Sequence, residues 1–217
     1  MKFKHPTVTT LTLGALDTNC YLAWCPDTLE AVIIDPADAG DTISEEILRL
    51  GLQPTAILLT HGHFDHVLGL LEVKLNFDDI PIFLHQADLF LIKGAKDSAE
   101  HWLHRQADPV PQPTNFLRAG STFSFGNCSL TTIETPGHTP GSVSFVSTVA
   151  PDDVHIFCGD TIFKNGVGRT DFSYSNTLDL ERSLKKLLEY PGNTQLLSGH
   201  GETTTVAAEQ KNLGFDE

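Results

Sequence analysis

The residues Thr60–His66 form the densest cluster of metal-binding side chains in this sequence of 217 residues. Three imidazoles and one carboxylate follow an apolar run within six consecutive residues, at His61, His63, Asp65 and His66. Imidazole nitrogen and carboxylate oxygen suit Zn²⁺ and its first-row neighbours. The chain holds ten histidines, so scattered histidines would rarely cluster in this way. The segment therefore predicts a metal site; the alternative is a solvated His-rich loop.

Three later β-prone runs end in one shared pattern, an apolar stretch followed by glycine and then a candidate ligand. The residues that follow the glycines are His138, Asp160 and His200. Strand ends at one edge of a sheet bring such side chains together on a rigid scaffold. The candidate ligands are five histidines and two aspartates: His61, His63, Asp65, His66, His138, Asp160 and His200.

This ligand set exceeds what one tetrahedral ion can use, so it predicts two divalent cations a few ångströms apart. Asp160 is the natural bridge, and Asp65 and Asp160 are the carboxylates predicted at the reacting centre. Zn²⁺ fits this set, and iron and manganese also accept it. A water between the cations would be deprotonated near neutral pH, and the hydroxide could attack a carbonyl carbon. The other interpretation is a metal-binding protein without catalysis.

The elements that must position these residues alternate between strands and helices, which predicts a layered α/β fold. Asp41 is predicted to cap the first helix and Gly51 to end it. The segment Lys93–Pro113 is predicted as a helix followed by a long loop that could overhang a site. Strands are predicted at Thr7–Leu13, Asn19–Trp24, Ala31–Ile34, Ala56–Leu59, Ile80–Leu84, Ser129–Thr135, Ser142–Ser147, Val154–Cys158 and Thr194–Leu197. Helices are predicted at Asp41–Leu50, Val67–Asn76, His85–Ile92 and Asp179–Glu189.

Composition narrows the class of partner. The 14 basic and 28 acidic residues leave a net charge of −14, which repels nucleic acids and anionic membranes and favours a small-molecule substrate. The length favours one domain over residues 1–217. The N-terminus carries no export signal, and no apolar run reaches the roughly 18 residues of a membrane span, so we expect a soluble cytoplasmic protein. Reduced thiols are therefore predicted at Cys20, Cys25, Cys128 and Cys158.

The other five histidines are predicted to have no ligand role. His101 and His104 lie three residues apart, which is typical of one solvated helix face. His5, His85 and His155 have no neighbouring ligand motif. We therefore interpret them as structural residues.

These motifs, together with Gly137–Ser142, resemble those of the metallo-β-lactamase superfamily in order and spacing. The resemblance implies an αβ/βα sandwich, in which two mixed β-sheets lie face to face with helices on both outer sides. It also implies that Asp160 bridges the metals and that Asp35 orients ligand imidazoles through hydrogen bonds. The implied ligands are His61, His63 and His138 for the first metal and Asp65, His66 and His200 for the second.

The run from Gly159 to Phe172 resembles the glyoxalase II group, the hydroxyacylglutathione hydrolases, and most closely its short single-domain bacterial branch. The resemblance implies cleavage of a thioester such as S-lactoylglutathione, or of a related ester, by metal-bound hydroxide. It implies that Arg169 contacts the glutathione carboxylate, whereas an ion pair with Asp171 is the alternative. Where that group has a tyrosine, this chain has Asp171. The rival activity is a mononuclear iron persulfide dioxygenase, which shares the Gly-Arg-Thr-Asp-Phe run.

Overall fold

The computed structural model describes residues 4–150 and 153–215. Met1–Phe3, which begin the stretch predicted to carry no export signal, lie outside these ranges. The strands are β1 (Thr7–Leu13), β2 (Thr18–Trp24), β3 (Glu30–Ile34), β4 (Gln53–Leu58), β5 (Ile82–His85), β6 (Asn115–Leu117), β7 (Thr122–Phe125), β8 (Cys128–Glu134), β9 (Val143–Ala150), β10 (Asp153–Gly159), β11 (Ile162–Phe163), β12 (Gly166–Val167), β13 (Gln195–Ser198) and β14 (Thr204–Thr205). The α-helices are α1 (Gly40–Leu50), α2 (Leu70–Asn76), α3 (Leu89–Leu103), α4 (Thr177–Leu188) and α5 (Val206–Leu213).

Within the described residues, most strands belong to two six-stranded sheets. The first has the order β1-β2-β3-β4-β5-β6, with antiparallel pairing up to β3 and parallel pairing from β3 onward. The second has the order β14-β13-β10-β9-β8-β7, in which β10 and β13 are parallel and the other neighbours antiparallel. Both sheets are therefore mixed, as predicted.

The sheets pack face to face because their central strands bury side chains on both faces. Along β2, Tyr21 and Ala23 join a core cluster that includes Phe145 of the second sheet. Cys20 and Leu22 belong instead to a cluster that includes buried residues of α1, α2 and α3. Successive side chains of a strand point to opposite faces, so β2 contributes to two layers at once.

A third core cluster covers the outer face of the second sheet. Ile156 and Cys158 of β10 pack there with Leu184 of α4 and Val206 of α5. Helices therefore cover the outer faces of both sheets, which confirms the predicted αβ/βα sandwich. All four cysteines are buried, and none forms a disulfide among the described residues. No helix in this part of the chain is both long and apolar enough to cross a membrane.

Several predicted element boundaries are wrong. Helix α1 begins at Gly40, after Ala39, so Asp41 lies in its first turn and does not cap it, although Gly51 does end it. The helix predicted at Val67–Asn76 starts only at Leu70. A short 3-10 helix at Phe64–His66 precedes it, because the ligand-bearing loop needs its own turn.

The helix predicted at His85–Ile92 corresponds to α3, which begins at Leu89 and continues to Leu103. The loop predicted to follow it is confirmed at residues 104–114. The predictions omitted α5 and the short strands β6, β7, β11, β12 and β14.

Candidate metal centre

Loops that follow β4, β8, β10 and β13 meet at one end of the sandwich and carry the predicted ligands. Glycine is required where these loops touch. A Cβ atom on Gly159, whose φ is 48°, would lie 2.5 Å from Thr60 Oγ1. A Cβ atom on Gly199 would lie 2.2 Å from Asp160 Oδ1. These contacts explain why glycine precedes the candidate ligand at both strand ends.

One group of ligand atoms is a three-histidine cluster, formed by His61, His63 and His138. His63 Nδ1 lies 3.1 Å from His61 Nε2 and 2.9 Å from His138 Nε2. The other ring nitrogens have partners outside the cluster: Thr60 Oγ1 for His61, the Tyr174 hydroxyl for His63 and the carbonyl of Arg169 for His138. These outer bonds orient the imidazoles so that three nitrogens converge on one point.

The second group is an aspartate cluster, formed by Asp65, His66 and His200. Asp65 Oδ2 lies 3.5 Å from His66 Nε2 and 3.3 Å from His200 Nε2. His200 Nδ1 lies 3.0 Å from the carbonyl oxygen of Leu16, which can accept a hydrogen bond from it. The cluster therefore aims one carboxylate and two imidazole nitrogens at a common point.

Asp160 lies between the two clusters. Its Oδ2 atom is 3.6 Å from His138 Nε2 and 3.5 Å from His200 Nε2, and its Oδ1 atom is 3.4 Å from His66 Nε2. Asp160 Oδ1 and His66 Nε2 are buried and have no hydrogen-bond partner among the described residues. Buried polar atoms without partners are costly, and a cation held between them would satisfy both. The donor set thus fits divalent metal ions.

Two buried aspartates outside the predicted ligand set support the clusters. Asp35 accepts hydrogen bonds from the Thr60 amide at 2.7 Å and the Thr60 hydroxyl at 2.6 Å. Its Oδ2 atom also lies 2.9 Å from His66 Nδ1, in agreement with the orienting role implied for Asp35. Its carboxylate oxygens are thereby engaged, so we assign Asp35 to the support of the site.

Asp88, at the start of α3, was not predicted. It accepts hydrogen bonds from the amides of Gly62 and Gly141 at 3.0 and 2.7 Å, and from the Thr139 hydroxyl at 2.7 Å. These bonds tie the loop that carries His61 to the loop that carries His138. In the sequence, Asp88 has the pattern of an ordinary helix start, so no local signal could identify this role.

Two histidines of the three-histidine cluster, His61 and His63, disfavour protonation. Burial, reinforced by the neighbouring His66, lowers the pKa of His61 well below its ordinary value. Burial and the adjacent His138 lower the pKa of His63 to about 3. Neutral imidazole is the form that binds metal, so these two ligands need not lose a proton at neutral pH.

In the aspartate cluster, the two histidines instead favour protonation. Burial alone would lower the pKa of His66, but the carboxylates of Asp160 and Asp65 raise it well above the ordinary value. Burial also opposes the shift at His200, where hydrogen bonds with the same carboxylates raise the pKa to about 10. Protons therefore occupy these histidines when no cation is bound, and a bound cation must displace them.

A groove of about 350 Å³ opens beside the metal ligands. Its lining includes Leu91, Ala95, Ser98, Trp102 and Leu103 of α3, so the helical part of the segment predicted to overhang a site does line one. Arg169, Phe172 and Tyr174 also line the groove. The Arg169 guanidinium lies over the Phe172 ring and donates two hydrogen bonds of 2.6 Å to Asp171. Arg169 therefore forms the ion pair with Asp171 and also lines the groove, and its contact with a glutathione carboxylate stays a prediction.

The five remaining histidines lie apart from the predicted ligand set, and His5 and His155 form a separate group with Asp153. His101 and His104 are exposed, as predicted. His85 Nε2 lies 3.7 Å from Glu134 Oε1. Sequence reasoning also missed Tyr174, which contacts His63. Because the two residues lie far apart in the chain, no local pattern could indicate this contact.

The fold and the site together define a class of protein. Its members are αβ/βα sandwiches in which loops at the strand ends hold two adjoining clusters of metal-binding side chains. The family model of the metallo-beta-lactamase superfamily matches residues 13–200. The chain belongs to the metallo-beta-lactamase superfamily. Divalent metal binding and hydrolytic enzymes are characteristic of that superfamily.

Two curated bacterial relatives are similar over nearly their whole length. The probable metallo-hydrolase YqgX of Bacillus subtilis (strain 168) is 38% identical over 205 residues, which cover 94% of each chain. The hydroxyacylglutathione hydrolase GloC of Haemophilus influenzae is 30% identical over 202 residues, which cover 93% of each chain.

Two solved structures share the fold. BLEG-1, a B3 metallo-beta-lactamase, has a TM-score of 0.86 and 31% identity, with 97% of this chain and 100% of that chain covered. TTHA1623, solved in a di-iron-bound form, has a TM-score of 0.84 and 36% identity, with 94% of this chain and 98% of that chain covered.

Proposed function

We propose that the protein is a binuclear metallohydrolase that cleaves thioesters, with S-acylglutathiones such as S-lactoylglutathione as the substrate class and related esters as close analogues. The observation that carries the proposal is the position of Asp160 between two ligand clusters. Among the described residues, the buried Oδ1 atom of Asp160 and the buried Nε2 atom of His66 have no hydrogen-bond partner. The similarity to GloC, which is named a hydroxyacylglutathione hydrolase, supports the choice of substrate.

In this proposal the three-histidine cluster would hold one cation and the aspartate cluster the other, and Asp160 would contribute to both sites. Zn²⁺ suits a set of imidazoles and carboxylates, and iron or manganese could take its place. When bound, such a pair of cations lowers the pKa of a coordinated water and polarises a carbonyl group.

The side chains of this protein prepare the site in three ways. Asp35 and the Thr60 hydroxyl hold the imidazoles of His66 and His61 in place, so little reorganisation is needed during turnover. Asp65 and Asp160 supply the negative charge that offsets two dications. The groove holds the substrate against this end of the sandwich, where Arg169 is the proposed contact for a glutathione carboxylate.

A thioester substrate agrees with the rest of the groove. A thiolate leaves without much help from a general acid because its conjugate thiol is far more acidic than an alcohol. The apolar side chains of Leu91, Ala95 and Trp102 give the leaving group or the acyl chain a surface to bury. A small molecule fits this groove, and the net charge of −14 disfavours nucleic acid.

The test is turnover of S-lactoylglutathione by metal-loaded protein, measured as release of free thiol. Asp160→Asn, which keeps the shape of the side chain but removes its charge, is the matched inactive variant. We expect the wild type to release thiol without consuming oxygen. We expect the variant to release no thiol. Oxygen uptake with glutathione persulfide and no thioester cleavage would instead identify the mononuclear iron dioxygenase. Cleavage of a β-lactam but not of the thioester would also overturn the proposed substrate.

A further inference from the structure

A second group of metal-ligating side chains, the outer cluster, consists of His5, Asp153 and His155. Asp153 and His155 lie at the beginning of β10, whereas Asp160 follows its end. At about 3.3 Å per residue, the span from His155 to Asp160 corresponds to about 16 Å, so the outer cluster lies outside the metal centre described above. The sequence predicted no ligand role for either of its histidines.

The fold brings these three residues together from the segment before β1 and from β10, which belong to different sheets. Asp153 and His155 are two residues apart on one strand, so their side chains point to the same face. His5 precedes β1 of the first sheet and lies across this face of the second sheet. Ser147 of β9 is paired in register with His155 and completes the surroundings.

His5 is oriented as metal-binding histidines are. Its Nδ1 atom lies 3.0 Å from Ser147 Oγ, which can accept a hydrogen bond from it and leave Nε2 free. Nε2 lies 2.9 Å from Asp153 Oδ1, yet it is buried and has no hydrogen bond of acceptable geometry among the described residues. The nitrogen thus faces a carboxylate without being satisfied by it.

The two imidazoles of the outer cluster stack in parallel, with ring centroids 4.0 Å apart and an angle of 5° between their planes. Two protonated rings would repel each other at this distance. Candidate ligand atoms of all three residues lie within 4.8 Å of one another, so small side-chain movements would bring them to one ion.

We propose that His5, Asp153 and His155 form a second metal site, which takes a divalent transition ion such as Zn²⁺. Two imidazole nitrogens and one carboxylate oxygen select such an ion over Ca²⁺ or Mg²⁺, which prefer oxygen ligands throughout. The net charge of −14 raises the local concentration of cations. A bound ion would tie the segment before β1 to the β9–β10 hairpin and so link the two sheets.

The site is tested by calorimetric titration of Zn²⁺ into full-length protein whose main centre is already loaded. We expect one further binding event per chain and a rise in melting temperature that follows its saturation. His155→Ala should weaken this event at least 100-fold. Ser147→Ala, which keeps all three ligands but removes the partner of His5 Nδ1, should weaken it about 10- to 100-fold.

His104→Asn is the matched control, because it removes an exposed imidazole and asparagine tolerates the positive φ of 51° at this position. It should bind the additional Zn²⁺ like the wild type. The proposal is overturned if the wild type binds no further ion, or if His155→Ala binds it unchanged. The difference in additional Zn²⁺ binding between these variants does not depend on how many ions the main centre holds. A negative result for the second metal site would therefore leave the proposed hydrolase activity untouched.

Discussion

The two ends of the groove are built differently. At the inner end, His61 and His66 are buried, the side chain of Asp160 is only 11% exposed, and both histidines make further hydrogen bonds to Thr60 and Asp35. At the outer end, the side chains of Arg169 and Asp171 are 59% and 65% exposed and hold each other. The inner end is therefore fixed by the fold, whereas the outer end depends on surface contacts.

This difference separates reaction chemistry from substrate choice. Ligands at strand ends inherit the rigidity of the sheets, and a metal centre needs that precision. Substrate contacts on a loop and on the face of α3 can change without disturbing the core. Substitutions at the inner end should therefore alter metal binding and rate, and those at the outer end should alter KM.

The largest effect is expected from Asp160→Asn. Loss of the carboxylate shared by both clusters should remove several kcal/mol of transition-state stabilisation and lower kcat/KM at least about 10³-fold. Metal analysis should show fewer bound ions, while circular dichroism should show an intact fold. Wild-type activity in this variant would mean that the inner end is not the reacting centre.

A smaller effect is expected from Asp35→Asn. The amide cannot accept all the hydrogen bonds that Asp35 accepts from Thr60 and His66, so metal affinity should fall about 10- to 100-fold. Chelator competition measures this loss. Asp27→Asn, at an exposed carboxylate, is the control and should bind metal normally. Equal affinities in both variants would contradict the support assigned to Asp35.

Tyr174→Phe tests the boundary between the two ends, because the Tyr174 hydroxyl lies 2.8 Å from His63 Nε2 while its ring lines the groove. Loss of one outer bond to a ligand should weaken metal binding by about tenfold, at the lower limit for such partners. Because the phenyl ring remains, KM should change little once metal is saturating. A large rise in KM at unchanged metal affinity would assign Tyr174 to the substrate end alone.

The smallest effect is expected from Asp171→Ala. An exposed ion pair is weak because water screens it, so freeing Arg169 should lower the KM for S-lactoylglutathione by at most about fivefold at unchanged kcat. Arg169→Ala, in contrast, should raise KM. Steady-state kinetics at saturating metal measure both. A rise in KM for Asp171→Ala would mean that the ion pair positions Arg169 for the substrate and does not compete with it.

The inner end was predictable from sequence because its signals are local. His61, His63, Asp65 and His66 occupy one short segment, and glycines precede His138, Asp160 and His200 for steric reasons. The alternation of strands and helices predicted a layered α/β fold, and the resemblance implied the αβ/βα sandwich.

The parts that escaped prediction depend on contacts between distant segments. Asp88 binds Gly62 and Gly141, which lie 26 and 53 residues away in the chain, so its role has no local pattern. His5 and His155 form a cluster only because the segment before β1 lies across the second sheet. Short edge strands such as β6 carry too few residues for a period of two to appear.

The central claim, two cations that share Asp160, is tested most directly by anomalous X-ray diffraction from crystals grown with Zn²⁺ and measured at the zinc edge. We predict one peak among His61, His63 and His138 and a second among Asp65, His66 and His200, with the Asp160 carboxylate between them. A single peak at this end of the sandwich, or peaks that Asp160 does not contact, would contradict the binuclear centre.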